Sequence, residues 1–132
     1  MEVSQTLELE YQVTQTDLAK TLSIDEQDDF PEVLATSRMI ALMELAAARL
    51  MKGLLSEEEL SVGVNVNVTH MAATLQGDTV RALAKYTGME GKLYQFNVSL
   101  YDAGGIAGEG THTRAIVKTS RLLQGAKKRA NG

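Results

Sequence analysis

Glu44 is the residue with the clearest chemical potential in the chain. Its neighbours three and four positions away are Ile40, Ala41, Ala47 and Ala48, so no lysine or arginine pairs with it along a helix. In the middle of a helix it is also remote from either terminal dipole charge. A carboxylate so placed needs donors from elsewhere in the fold, and desolvated carboxylates are those that serve acid–base or nucleophilic chemistry. The alternatives are a Glu on a wet stripe of the helix, or one bent toward Arg38 or Arg49. His70 carries the side chain best suited to proton transfer near neutral pH. It ends a run of alternating valines and shares their parity, which directs the ring toward a central helix unless it merely caps a strand by bonding a carbonyl. A lone acid and a lone imidazole, far apart in sequence, are expected to meet across the core.

Three further positions are less specific. Thr36 precedes a run of helix formers and suits an N-cap. The same place would set its hydroxyl and the following N–H groups at the positive end of a buried helix, where an acyl oxygen or anion fits. Arg114 shares the parity of Gly110, His112 and Ile116 in the last strand, as a solvated edge residue, an ion-pair partner or a ligand contact. Gly63 interrupts a β-forming run, which signals a bulge or a close backbone approach.

The elements that must hold these residues follow from periodicity. Residues 6–13 alternate polar and apolar, the strand pattern. Acidic Asp25 to Asp29 lead to Phe30-Pro31, and from Thr36 to about Leu55 the chain reads as helix, rich in Ala, Leu and Met and apolar around most of its circumference. Gly53 and Ser56-Glu57-Glu58-Glu59 close it. Four strand-like segments follow, around Val62–Val68, Val80–Tyr86, Tyr94–Leu100 and Gly110–Lys118, with turns at Gly77-Asp78, Gly88 to Gly91 and Asp102 to Gly105. Strand, apolar helix, then antiparallel meander predicts an α+β domain over 1–119, one sheet wrapped around one helix. So apolar a helix in so short a chain also calls for a second subunit. Residues 120–132 form a basic C-terminal tail, flexible or a short helix.

Composition excludes several classes. The 132 residues contain no cysteine and two histidines, which rules out a thiolate metal site, a cysteine nucleophile and a disulfide framework, and leaves too few imidazoles for a metal cluster. No Walker or dinucleotide glycine loop and no Gly-x-Ser-x-Gly elbow occurs. Charge is uneven: residues 1–60 hold 13 acids and 4 bases, residues 61–132 hold 4 acids and 9 bases. The basic end reads as a solvated terminus; with 5% aromatics and no Trp, base-stacking platforms are scarce and nucleic acid is not the expected partner. No apolar run approaches the roughly 20 residues of a membrane span, and no signal peptide opens the chain, so a cytoplasmic protein without membrane contact is expected.

Phe30-Pro31-x-Val-Leu-Ala-Thr36-x-x-Met39-Ile40-x-x-Met43-Glu44, then Ser61-Val62-Gly63-Val64, Val68-Thr69-His70 and Gly108-x-Gly110-Thr111-His112-x-Arg114, together resemble the fluoroacetyl-CoA thioesterase family of the hotdog-fold superfamily. The resemblance spans about residues 5–118. It implies a hotdog fold and a homodimer or larger assembly that hydrolyses a short acyl-CoA, fluoroacetyl-CoA or a related small thioester, without a cofactor beyond the CoA of the substrate. It further implies a catalytic set of Thr36, Glu44 and His70, with Phe30 gating the pocket and Gly63 and Arg114 contacting the acyl group. Glu44 would attack the carbonyl or direct a water at it. The segment before Phe30 is more polar than the lid of a fluoroacetyl-selective enzyme, which points to a wider substrate range. Two competing functions are a non-catalytic acyl-CoA or small hydrophobic ligand carrier on the same scaffold, and a hotdog dehydratase.

Overall fold

A computed structural model describes residues 1–132. Strand β1 (Thr6–Gln12) is followed by short 3-10 turns at Gln15–Asp17 and Ala19–Leu22, and the chain then runs to helix α1 (Thr36–Met51). A further 3-10 turn at Lys52–Leu54 leads to β2 (Glu59–His70), β3 (Thr79–Glu90), β4 (Leu93–Asp102), β5 (Gly105–Lys118) and helix α2 (Thr119–Asn131). The five strands form one antiparallel sheet in the order β1-β3-β4-β5-β2, which leaves β1 and β2 at its edges.

The sheet wraps α1 for a simple reason of pattern. Met39, Leu42, Met43, Ala46, Ala47 and Met51 are buried and recur at helical spacing. They face the alternate residues Val80, Ala82, Ala84 and Tyr86 of β3, and Phe96, Val98 and Leu100 of β4, in one continuous core. Small side chains in β3 let the helix lie close. Gly108 of β5 does the same at the helix's first turns, since a Cβ there would collide with the sulfur of Met39.

The helix ends at Met51, not near Leu55, because the chain tightens into a 3-10 turn before Gly53 offers any cap. Other boundaries also moved. Strand β3 runs on to Glu90 through a register shift between Tyr86 and Gly88, and the reversal is made by Gly91 and Lys92. Strand β5 starts already at Gly105. The basic end forms α2, none of whose residues is buried. No helix is long and apolar enough to cross a membrane.

Candidate active site

Thr36 is the first residue of α1, and Ala35, not Thr36, occupies the N-cap position. The threonine hydroxyl is therefore free for another partner. It shares a 2.7 Å hydrogen bond with Nδ1 of His70, the last residue of β2. The opposite ring nitrogen, Nε2, is buried and has no hydrogen-bond partner. Against this pair lies a groove of about 400 Å³ whose walls include Pro31, Val33, Leu34, Met71 and Ala73. Phe30, at the residue before Pro31, is exposed and belongs to neither helix nor strand.

Two buried groups hold the start of α1 where this bond requires it. Asp17 accepts from the Tyr11 hydroxyl at 2.7 Å, from the Thr14 N–H at 2.7 Å and hydroxyl at 2.9 Å, and from Arg38 Nε at 2.6 Å. Its backbone carbonyl also accepts from the Ala35 N–H at 2.9 Å. Burial alone would raise the Asp17 carboxyl, but these donors outweigh it and hold the group below its ordinary value. From the other side the Thr74 carbonyl accepts from the Leu34 N–H at 2.8 Å, while the Thr74 hydroxyl donates to Asp102 at 2.7 Å.

Glu44 lies eight residues beyond Thr36 on the same helix, roughly 12 Å further along its axis. It joins a different set of residues. Its Oε1 is 3.5 Å from Nη1 of Arg114 and 4.0 Å from Nε2 of His112, and its side chain keeps 39% exposure. Neither Arg38 nor Arg49 pairs with it; Arg38 is committed to Asp17. Gly63 runs directly beneath, and a Cβ there would collide with the glutamate oxygen. The glycine thus marks both a close approach and a bulge, for the β2–β5 register shifts between Gly63 and Asn65.

That bulge alters the expected parity. Val66, Val68 and His70 pair with His112, Gly110 and Gly108 on the inner face, whereas Ser61 and Gly63, not Val62 and Val64, are the residues aligned with Ile116 and Arg114. Arg114 is buried, not a solvated edge residue. Its Nε donates to Ser61 Oγ at 3.0 Å, its Nη2 to the Ser61 carbonyl at 2.9 Å, and its Nη1 approaches His112 Nε2 at 3.1 Å. The other ring nitrogen of His112 lies 2.8 Å from the Asn65 carbonyl, which only accepts. The proton consequently sits on Nδ1, and Nε2 offers its lone pair to the arginine. Burial first, and the Arg114 charge second, keep the His112 pKa below its ordinary value; the Asn65 carbonyl and Glu44 offset this in part. Burial likewise lowers the pKa of Arg114, against the pull of Glu44.

Within one chain the acid and the imidazole therefore do not meet as the sequence suggests. Rigid α1 carries Thr36 and Glu44 more than two turns apart, and His70 takes the threonine while Arg114 takes the glutamate. His112 and Ser61 join the site although neither is an obvious candidate from sequence. The available signal was strand parity, which sets His112 beside Arg114. No three His, Cys, Asp or Glu side chains converge to hold a metal ion.

Residues 13–120 match the family described as fluoroacetyl-CoA-specific thioesterase. A fluoroacetyl-CoA thioesterase from Streptantibioticus cattleyicolor is 43% identical over 94 residues, 71% of this chain and 68% of that protein. A solved structure of the fluoroacetyl-CoA thioesterase FlK superposes with a TM-score of 0.90 at 33% identity, covering 97% of this chain and 96% of that one. A hot-dog-like protein from Thermanaerovibrio acidaminovorans aligns with a TM-score of 0.85 over 100% of this chain and 95% of its own, and at 23% identity it speaks for the fold. The sheet around α1 is the hotdog fold.

Proposed function

The chain belongs to the fluoroacetyl-CoA-specific thioesterase family, and from that premise we propose that it hydrolyses a short-chain acyl-CoA thioester, fluoroacetyl-CoA or a related small acyl-CoA, to the free acid and CoA. The observation that carries the proposal is the 2.7 Å bond between Thr36 and His70 at the edge of a largely apolar groove, with the second ring nitrogen left without a partner. A thioester carbonyl has little resonance stabilisation, so hydrolysis needs a placed nucleophile, a proton carrier and donors for the oxyanion. Glu44 supplies the carboxylate that attacks the carbonyl carbon or directs a water at it. His70 passes the proton to the departing CoA sulfur, Thr36 fixes the ring, and the first N–H groups of α1 face the oxyanion. Phe30 gates the groove, and Gly63 and Arg114 border the acyl group. No cofactor is required beyond the CoA of the substrate, and the cytoplasm is where such substrates occur.

The active unit in this proposal is a homodimer. Edge strand β2 has one side without a neighbouring strand, Val64 on it is 53% exposed, and Leu45 beside Glu44 is also open. A second copy covering this face brings its own Glu44 toward the His70 of the first, which reconciles the separation within one chain with a joint role.

A thiol-release screen over acyl-CoAs of graded length, with and without fluorine, tests the activity. Turnover of small members is expected, and Glu44→Gln and His70→Ala should each lower it by about two to four orders of magnitude with folding retained. Near wild-type rates in both variants would refute the catalytic set. Ligand-induced stabilisation without any thiol release would instead identify a carrier. Label entering Glu44 in a single turnover in labelled water shows direct attack with hydrolysis at the glutamyl carbonyl, and trapping of an acyl-enzyme detects direct attack when water adds at the acyl carbon instead.

A further inference from the structure

We infer that His112 is a positioning residue that aims Arg114 at Glu44 and so fixes where the reactive carboxylate lies. This role presupposes that Glu44 acts in thioester hydrolysis. Two of the three guanidinium nitrogens of Arg114 are spent on Ser61, whose hydroxyl and carbonyl tie the group to β2. Only Nη1 faces the helix, and it stands between His112 Nε2 at 3.1 Å and Glu44 Oε1 at 3.5 Å. The imidazole thus acts as the stop that keeps Nη1 from swinging away from the carboxylate. It can do so only as the Nδ1–H tautomer, with the proton held by the Asn65 carbonyl at 2.8 Å. A proton on Nε2 would set two donors against each other and break the relay.

The charged groups facing the ring are Arg114 and Glu44, and the aromatic ring of Phe96 packs beside it, with centroids 6.4 Å apart. His112 is 1% exposed, so the ring and not solvent meets Nη1 on that side. Its place is therefore chemical as well as steric: an acceptor of the right reach, held neutral, behind a buried cation.

Two amide substitutions separate the parts of the ring. Asparagine sets an N–H near the place of Nδ1 and keeps the bond to Asn65, but has no acceptor at the position of Nε2. Glutamine reaches that position with its amide oxygen and gives up the Asn65 bond. His112→Asn is expected to lower kcat by about tenfold or more with KM within about threefold, while His112→Gln recovers kcat to within about threefold of the natural protein. Melting temperatures measured alongside distinguish this from simple destabilisation, which would move activity with stability in both variants. Nitrogen-15 NMR of the unmodified protein near neutral pH should find His112 neutral with the proton on Nδ1. Equal kcat in the two variants, a better Asn than Gln variant, or an Nε2-protonated or charged ring each overturns the inference; if neither variant folds, the NMR tautomer decides. Glu44→Gln in the same assay tells the two failures apart. An active Glu44→Gln unseats the thioesterase assignment of that residue, whereas an inactive Glu44→Gln beside a fully active His112→Asn unseats His112 alone.

Discussion

At Gly63 the backbone of β2 passes so near the Glu44 carboxylate that no side chain fits between them. Gly63→Ala should therefore displace the carboxylate while leaving the exposed strand edge intact. A fall in turnover of about tenfold or more is expected, measured by thiol release, with an unchanged circular dichroism spectrum. A fully active alanine variant would mean that the glutamate's present position is not the one that matters. Glu44 was readable from sequence because nothing on its own helix could neutralise it, and the structure supplies the missing cation from Arg114 on β5. Thr36 was readable as a residue of the helix start, but not as a hydroxyl left free by Ala35 at the cap. His112 was not readable as part of the site, because a single inward histidine in a strand gives no sign of which nitrogen faces a carbonyl and which an arginine.

Elements have to be anchored before residues can be aimed. The two residues that lead into α1, Leu34 and Ala35, are held on one flank by Asp17 and on the other by Thr74, both buried and both accepting through their backbone carbonyls. Asp17→Asn keeps the shape but loses the charge that four donors converge on. A loss of about 2 kcal/mol is expected in chemical denaturation, with the Thr36–His70 geometry and turnover weakened together. The acid limb of stability should change as well. Because the carboxyl is held below its ordinary 3.8, its contribution is complete above that value and disappears as pH falls through the lowered one. The asparagine variant should lack that acid-dependent component, and an identical acid profile in both proteins would contradict the anchoring role. Periodicity revealed the strands and the helix well; their ends were harder, since the 3-10 turn after Met51 and the register shifts at Gly63 and Gly88 depend on neighbours across the sheet. The bulge in β2 is the instructive case, because one extra residue reversed the facing of every side chain before it.

For the whole molecule, the proposed pairing of two copies makes a demand that one chain cannot meet. If each centre takes Thr36 and His70 from one copy and Glu44 from the other, a mixture of His70→Ala and Glu44→Gln subunits contains hybrids with one centre doubly damaged and one undamaged. Random exchange of subunits makes half of the dimers hybrid, so about a quarter of the wild-type rate should return on mixing two inactive proteins. No recovery, with exchange demonstrated by differently tagged subunits, would show that each chain completes its own centre. From sequence, the expectation of a second subunit rests on the apolar helix in so short a chain. The proposed division of labour between two copies needed the structure, because only the contacts between helix and sheet show His70 with Thr36 and Arg114 with Glu44.

The distance between Thr36 and Glu44 along α1 is inflexible. Inserting or deleting one residue between Thr36 and Glu44 would turn the glutamate by about 100° around the axis, away from Arg114 and Gly63. The interval is thus fixed in length by its geometry, unlike the acidic stretch ahead of Phe30, which belongs to no sheet or long helix. A one-residue insertion in α1 should therefore abolish thiol release, while one in that stretch leaves the spacing of Thr36 and Glu44 unchanged.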